Sequence, residues 1–372
     1  MALHPPQTDF LTPIEGALET SPFDPRSDEP SLTENFVHQT IAPSRQRKAI
    51  AVLLNYTSFF SEGIEGRLRR TFDLECARRN LDLYLIYGRA LEEPDASCKA
   101  YNTVFNLVHP ARIDAVILVS NLLAGFCGGA RLNEYSTRYT GMPRCSLGMI
   151  LPNLPSVEVD CRPAMEKLID HLVHDHGYRR FAFMAGQKHH PHSIERLAAC
   201  QLYLRKNGLS LDPDLIVYGD FITHAAEGAM NELLRRRTDF DVVVTASDAM
   251  AQGVIASLRK HGRGVPDNCA VTGYDDLIHA RFGNPPMTTI AQPLESLAKS
   301  ALDNVEAQLA GETVNEVTWV TSDLLLRDSC GCTLRPRTEL QNLTSPPTSA
   351  LEYLVVERPR IQRQIEQIIG ES

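Results

Sequence analysis

The chain has 372 residues, 43% of them hydrophobic and 22% charged, with a formal net charge of −9. These proportions are those of a soluble globular protein with room for two ordinary domains plus tails. The negative balance argues against a broad basic surface for nucleic acid or anionic membrane, and no segment reaches the roughly 18 apolar residues of a membrane span.

The N-terminus "MALHPPQTDFLTPIEG" has neither the basic start nor the apolar core of a secretory signal. Nine scattered cysteines then read as reduced thiols in a cytoplasmic protein. Residues 1–47 read as a disordered, Pro-rich tail, because Pro5, Pro6, Pro13, Pro22, Pro25, Pro30 and Pro43 interrupt every candidate helix.

Order begins at Lys48. "KAIAVLLN" 48–55 predicts a strand, followed by a helix through about Asn80. "LDLYLIYG" 81–88 is the next strand, then a helix around 96–109, the strand "IDAVILVS" 113–120 and a weaker one at "PRCSLGM" 143–149. The rhythm restarts with a helix over 163–174 and the strand "RRFAFMAG" 179–186. A helix at 193–207 leads to "LIVYGD" 215–220, and a helix at 223–237 leads to "DVVVTAS" 241–247. A helix ending near Gly262 precedes "CAVTGYDD" 269–276. A last helix covers 294–310, and "EVTWVTSDLLLRDS" 316–329 alternates as one extended strand. Strand-length runs alternating with longer helical segments imply βαβ units and parallel sheets, in two consecutive α/β halves. Residues 331–350 have a linker composition. The segment 351–372 predicts an amphipathic helix with Pro359 as a break; it either docks on its own domain or leads to a partner.

Ligands of open α/β sheets bind beyond the carboxyl ends of the strands. The polar residues collected there are Asn55 with the loop "YTSFF", Ser120-Asn121, Asp160, the loop "GQKHHPHSIER" 186–196, Asp220-Phe221, Ser247-Asp248 and "GYDD" 273–276. Hydroxyls, carboxylates, an arginine and aromatic rings suit a small polar ring compound. No Walker pattern, no G-x-G-x-x-G after a strand and no G-x-S-x-G elbow occurs, so no phosphate cradle or catalytic set is read and no cofactor is expected.

Two histidine clusters stand out. His171, His174 and His176 in "HLVHDHG" read as a helix end, where cations suit the dipole. His189, His190 and His192 in "KHHPH" lie in the predicted cleft loop and read as ligand contacts or as a solvated loop; metal is the lesser alternative for both clusters. "CGC" 330–332 is tighter than a standard zinc pair and reads as structural thiols.

Taken in order, several stretches resemble the effector-binding domain of the LacI/GalR family, the lactose- and galactose-repressor type, over about residues 48–330. They are "HLVHDHGYRRFAFMAG", "SIERLAAC", "TASDAMAQGVIASLRKHGRGVPDNCAVTGYDD", "PPMTTIAQPLESLAKSALDNV" and "LLLRDSC". The resemblance implies a periplasmic-binding-protein-like α/β fold: two Rossmann-like parallel-sheet subdomains joined by three crossovers, with the effector between them. The N-subdomain would comprise about 48–160 plus 291–312, and the C-subdomain about 161–290 plus 313–330. Carried over, the effector-facing positions are Phe59, Phe60, Asp160, His190, His192, Arg196, Phe221, Ser247 and Asp275, with Arg196 and Asp275 the principal polar contacts and the three Phe rings stacking on the ligand. The family usually has Asn-Asp where this chain has Ser247-Asp248, and N-capping is the competing role for those two residues.

The same resemblance implies a cytoplasmic small-molecule sensor (for a sugar, nucleobase or related metabolite), not an enzyme, that acts as a homodimer in transcriptional or signalling regulation. The family opens with a helix-turn-helix and a hinge helix. The prolines of residues 1–47 leave no room for either, which counts against DNA binding by this chain. Sensors ending in a similar Arg-x-Ser-Cys-Gly-Cys also occur joined to output modules of diguanylate cyclase or kinase type, so one alternative is a sensor remnant of such a signalling protein, its C-terminal helix a connector toward a signalling partner. A solute-binding protein of a transport system is another.

Overall fold

The computed structural model describes residues 47–55, 63–94 and 100–332. The expectations for residues 1–46, for Phe59 and Phe60, and for residues 333–372 lie outside the described residues.

The first half opens with β1 (Ala49–Asn55), α1 (Ile64–Arg78) and β2 (Asp82–Gly88). Within the helix expected over 96–109, residues Asn102–Leu107 form a 3₁₀ turn, and residues 96–99 lie outside the described residues. Then come β3 (Ala115–Val119), the single turn α2 (Ser120–Leu123), α3 (Gly128–Ser136), β4 (Arg144–Leu147) and β5 (Ser156–Asp160). In the second half, α4 (Arg162–Asp170) widens into a π turn over His171–Asp175. It is followed by β6 (Phe181–Ala185), α5 (Pro191–Lys206), β7 (Ile216–Tyr218), α6 (Thr223–Arg236), β8 (Val242–Thr245), α7 (Asp248–Lys260), β9 (Ala270–Asp275), α8 (Ile278–Phe282) and β10 (Thr288–Ala291). The last elements are α9 (Leu294–Leu309), β11 (Val317–Thr321) and β12 (Asp323–Leu325).

Two six-stranded sheets result, ordered β11-β5-β4-β3-β1-β2 and β12-β10-β9-β8-β6-β7. All pairings are parallel except β10 with β12. Helices cover both faces of such sheets, so their strands are apolar without alternation. Every residue of β3, β6, β8 and β9 is buried accordingly. One apolar cluster, from Cys161 to Ile290 plus Cys330, fills the second half. Two others lie on either face of the first sheet, and α9 joins one of them through Leu297, Ala298, Leu302 and Val305.

Two strands escape the sequence pattern. β5 and β10 are only five and four residues long. The stretch 316–329 also differs from expectation. It does not run as one strand and does not stay with the second half: β11 pairs with β5 in the first sheet, and the chain then crosses at buried Ser322 into β12 of the second. A turn at a small buried residue lets neighbouring segments join different sheets. The chain thus passes between the sheets three times: after β5, after β10 and at Ser322.

Candidate functional site

The strand order reverses at β1 in the first sheet and at β6 in the second. β1 has β2 on one side and β3 on the other, and β6 has β7 and β8. Such switch points open a crevice at the carboxyl ends of the strands. Asn55 ends β1 and Asn121 follows β3. Gly186 follows β6 and leads through the loop to His190, Asp220-Phe221 follow β7, and Ser247 follows β8.

The centre of the second half's side is Arg196 on α5 and Asp275 at the end of β9. Both side chains are only 6% exposed, and Arg196 Nη1 stands 3.8 Å from Asp275 Oδ1. Arg196 Nη1 donates to the Ala246 carbonyl at 2.6 Å, and its guanidinium lies 3.5 Å over the Tyr274 ring. Carbonyl and ring together hold a planar fork flat and immobile. The Gln292 amide donates to Asp275 Oδ1 at 3.3 Å. Burial pushes the Asp275 carboxyl up, and Arg196 is the largest influence against that rise.

Asp275 and Asp276 both adopt positive φ, 117° and 54°, as do Asp220 and Phe221 at 53° and 61°. Non-glycine residues in this region cost about 1–3 kcal/mol each and persist where the surroundings over-determine them. At Asp275-Asp276 the surroundings are explicit. Arg67 on α1 of the first half donates to the carbonyls of Asp275 at 3.4 Å and Asp276 at 3.0 Å. Arg281 and Arg327 grip the Asp276 carboxylate at 2.6 and 2.7 Å. Fully buried Asp248 accepts from the Leu277 amide and from the Thr289 hydroxyl, both at 2.7 Å. Gly273 makes room for it, since a Cβ there would lie 2.0 Å from Asp248 Oδ1. Burial, reinforced by Asp275, raises the Asp248 carboxyl as well.

A second group joins His190, His192 and Phe221. The His190 ring meets Phe221 edge to face at 5.1 Å and His192 at 5.3 Å. The Phe221 ring lies against the backbone of Gly186, where a Cβ would come within 2.1 Å of it. Burial, with His192 and Arg196 nearby, lowers His190 to about 4, so it is a neutral imidazole at neutral pH. His192 Nε2 points across the cleft to within 3.5 Å of Glu158 Oε1 on β5, a carboxylate buried in the first sheet.

Three buried polar atoms at these strand ends, Asn55 Oδ1, Asn121 Oδ1 and His190 Nδ1, have no hydrogen-bond partner among the described residues, and a fourth, His192 Nε2, has only the Glu158 carboxylate at 3.5 Å. Two belong to each side. Buried donors and acceptors are rarely left unpaired.

The structure therefore brings Arg196 with Asp275, and His190 with His192 and Phe221. Ser247 is the N-cap of α7, its hydroxyl accepting from Met250 N at 3.3 Å, and it follows the Ala246 carbonyl that anchors Arg196. Asp160 is turned to its own chain. Its carboxylate accepts from Arg162 N at 3.0 Å and from the Arg162 guanidinium at 2.7 and 2.8 Å, which hold it below the usual carboxylate range. Sequence reading did not assign Arg67, Glu158 or Gln292 to the site, and it collected Asp248 only as a strand-end residue. Glu158 carried a signal, a charge in the middle of the apolar-flanked stretch "SVEVD".

Comparison with known proteins follows this geometry. The family described as periplasmic binding protein-like domain matches residues 169–330. The HTH-type transcriptional regulator CelR of Thermobifida fusca is 35% identical over 196 residues, 51% of this chain and 55% of that protein. The HTH-type transcriptional repressor CytR of Escherichia coli K12 is 30% identical over 177 residues, 47% of this chain and 52% of that one. The chain thus spans about half the length of the curated relatives it matches. A solved CelR–cellobiose complex superposes with a TM-score of 0.63 at 26% identity, covering 76% of this chain and 85% of that one. These relatives are regulators rather than enzymes, and among the described residues no helix is long and apolar enough to cross a membrane. Residues 169–330 thus match the periplasmic binding protein-like domain, and the two mostly parallel sheets are similar to the fold of solved LacI-type regulators.

Proposed function

We propose that the chain is the effector-sensing body of a cytoplasmic regulator of this type, and that it takes a small polar ring compound, a sugar or a related metabolite, between its two sheets. The observation that carries this reading is the set of three buried atoms on Asn55, Asn121 and His190 that have no hydrogen-bond partner among the described residues, beside His192, whose Nε2 meets only Glu158 at 3.5 Å. Each costs about 1–3 kcal/mol while unpaired, and a ligand rich in hydroxyls or ring N–H groups relieves that cost on both sides of the cleft. Arg196 and Asp275 supply a fixed donor and acceptor at the floor; Phe221, and in the carried-over reading Phe59, Phe60 and Asp160, complete the lining. Ser247 contributes chiefly by fixing the start of α7.

The switching step is relative movement of the two halves. Arg67, reaching from α1 to the Asp275 and Asp276 carbonyls, spans the halves beside the site. A ligand that pairs Asn atoms on one side and His atoms on the other favours the closed arrangement by its differential affinity alone. In this reading the change is transmitted through a homodimer surface or a signalling partner. A ligand recovered chemically unchanged after prolonged incubation is expected, since no complete nucleophile, base and oxyanion set is assembled among the described residues.

The test is thermal unfolding against a panel of mono- and disaccharides, nucleosides and small organic acids. A true effector at 100 times its Kd adds about 2.7 kcal/mol of stability. The gain should vanish in Asn55→Ala/Asn121→Ala while the ligand-free protein loses little. No shift with any panel member, or a shift retained in that double variant, overturns the reading.

A further inference from the structure

Outside the cleft, the described residues contain one compact group of soft and borderline metal-ligand atoms. His171, His176, Cys330 and Cys332 each offer one such atom, and all four lie within 4.8 Å of one another. Their separations are those of a coordination shell. His171 Nε2 is 3.1 Å from His176 Nε2, 3.3 Å from Cys332 Sγ and 3.6 Å from Cys330 Sγ; His176 Nε2 is 3.4 Å from Cys332 Sγ. Tetrahedral zinc, with Zn–N near 2.05 Å and Zn–S near 2.3 Å, sets N···N at about 3.3 Å and N···S at about 3.6 Å.

Local structure explains why these four meet. Histidines five residues apart would diverge on an ordinary α-helix. The π turn over His171–Asp175 widens the helix end and swings the His176 ring to the same side as His171. His176 stacks on Tyr178 at 5.5 Å, and Tyr178 Oη donates to the Cys330 carbonyl at 2.9 Å, fixing the Cys loop against the histidines. Gly331 lets the two thiols converge. Its φ is 102°, and a Cβ there would stand 3.2 Å from both the His176 ring and Tyr178 Oη. A Cys-Gly-Cys loop with left-handed glycine is the tightest spacing that presents two sulfurs on one side. An outer partner is also in place. His171 Nδ1 donates to Asp175 Oδ2 at 2.6 Å, which fixes the tautomer and turns the Nε2 lone pair toward the sulfurs, the usual carboxylate–histidine support of a metal ligand.

We propose that His171, His176, Cys330 and Cys332 form a closed Cys₂His₂ site for zinc. With four protein ligands it has no open position, so its work is structural: it ties the helix end that follows the first passage between the sheets to the last described residues of the chain. The two thiols lose their protons on binding, and the metal replaces the hydrogen-bonded cluster that otherwise holds them. The site is independent of the effector cleft and stands or falls separately from it.

The experiment is metal analysis of the full chain purified without chelator, followed by replacement of the metal with Co(II). One zinc per chain is expected, and Co(II) should give the intense ligand-field bands of a tetrahedral site together with thiolate charge transfer. Cys332→Ser and His176→Gln should each lose the stoichiometric metal and weaken those bands. Alkylation of the wild-type chain should label Cys332, the partly exposed thiol, only after the metal is stripped, a readout that does not depend on any variant folding. Absence of zinc together with an octahedral or featureless cobalt spectrum overturns the proposal. So does a Cys330–Cys332 disulfide in protein isolated under reducing conditions.

Discussion

Arg196→Ala gives the sharpest test of the cleft's electrostatics. Arg196 and Asp275 are both almost wholly buried and stand 3.8 Å apart. Removing the guanidinium leaves Asp275 with the Gln292 amide as its polar side-chain contact among the described residues, and empties the space over Tyr274. Deleting one partner of a buried pair typically costs about 3–5 kcal/mol, because a charge remains buried and uncompensated. That penalty belongs to the ionised form and so depends on pH. Burial already places Asp275 above the ordinary carboxylate value, and Arg196 opposes the rise, so the variant's folded-state carboxyl moves higher still. A carboxyl whose folded value is raised keeps its stability contribution at low pH and loses it as pH climbs through the folded value. Arg196→Ala should therefore be least destabilised near pH 5 and most at pH 8, with the curve shaped jointly by Asp248, which is raised by the same Asp275 charge. Urea unfolding at several pH values measures this. Adding Asp275→Asn should recover a large part of the loss at pH 8, since the neutral amide needs no counter-ion. An Arg196→Ala penalty equal at all pH values, or a double variant no better than the single, would refute the argument.

Three further outcomes follow from the same geometry. Gly186→Ala should drive the Phe221 ring from its seat, destabilising the fold by about 1–3 kcal/mol and weakening effector binding more than the fold; crystallography and calorimetry of that variant check both. Ser247→Ala removes the α7 cap and should cost about 1 kcal/mol in thermal unfolding, and a loss near zero would show the cap to be redundant. His190, held near 4 by burial, takes up a proton on unfolding between there and its ordinary value. Stability should accordingly fall as pH drops through that window, and the acid-side loss should shrink in His190→Gln, as pH-dependent denaturation reports.

Much of the fold was written plainly in the chain. Buried parallel strands such as "AVILV" and "FAFMA" are continuous apolar runs, and their ends announce the cleft. Arg196 and Asp275 were found as the polar residues at those ends. β5 and β10 were not, because four or five residues flanked by Pro155 or Pro285-Pro286 look like loop; only pairing with neighbours makes them strands. Asp160 shows the opposite failure. Its position at a strand end was right, but no pattern tells that Arg162, two residues on, takes its carboxylate. The pairing of "HLVHDH" with "CGC" is beyond any local reading, since each motif alone is half a site and more than 150 residues separate His176 from Cys332.

The passage at Ser322 bears on how the molecule is made. The first sheet is completed by β11, and the second by β10 and β12, all drawn from the stretch after residue 287. Neither half is a contiguous length of polypeptide. During synthesis the first half must wait, with the edge of β5 open, until more than 150 further residues have left the ribosome. An open strand edge is a template for wrong pairing, and such long-range closure is slow. Cutting the gene between the halves would make that wait permanent: an N-terminal fragment ending near Asp160 should aggregate unless a peptide bearing Val317–Thr321 is supplied to close its sheet.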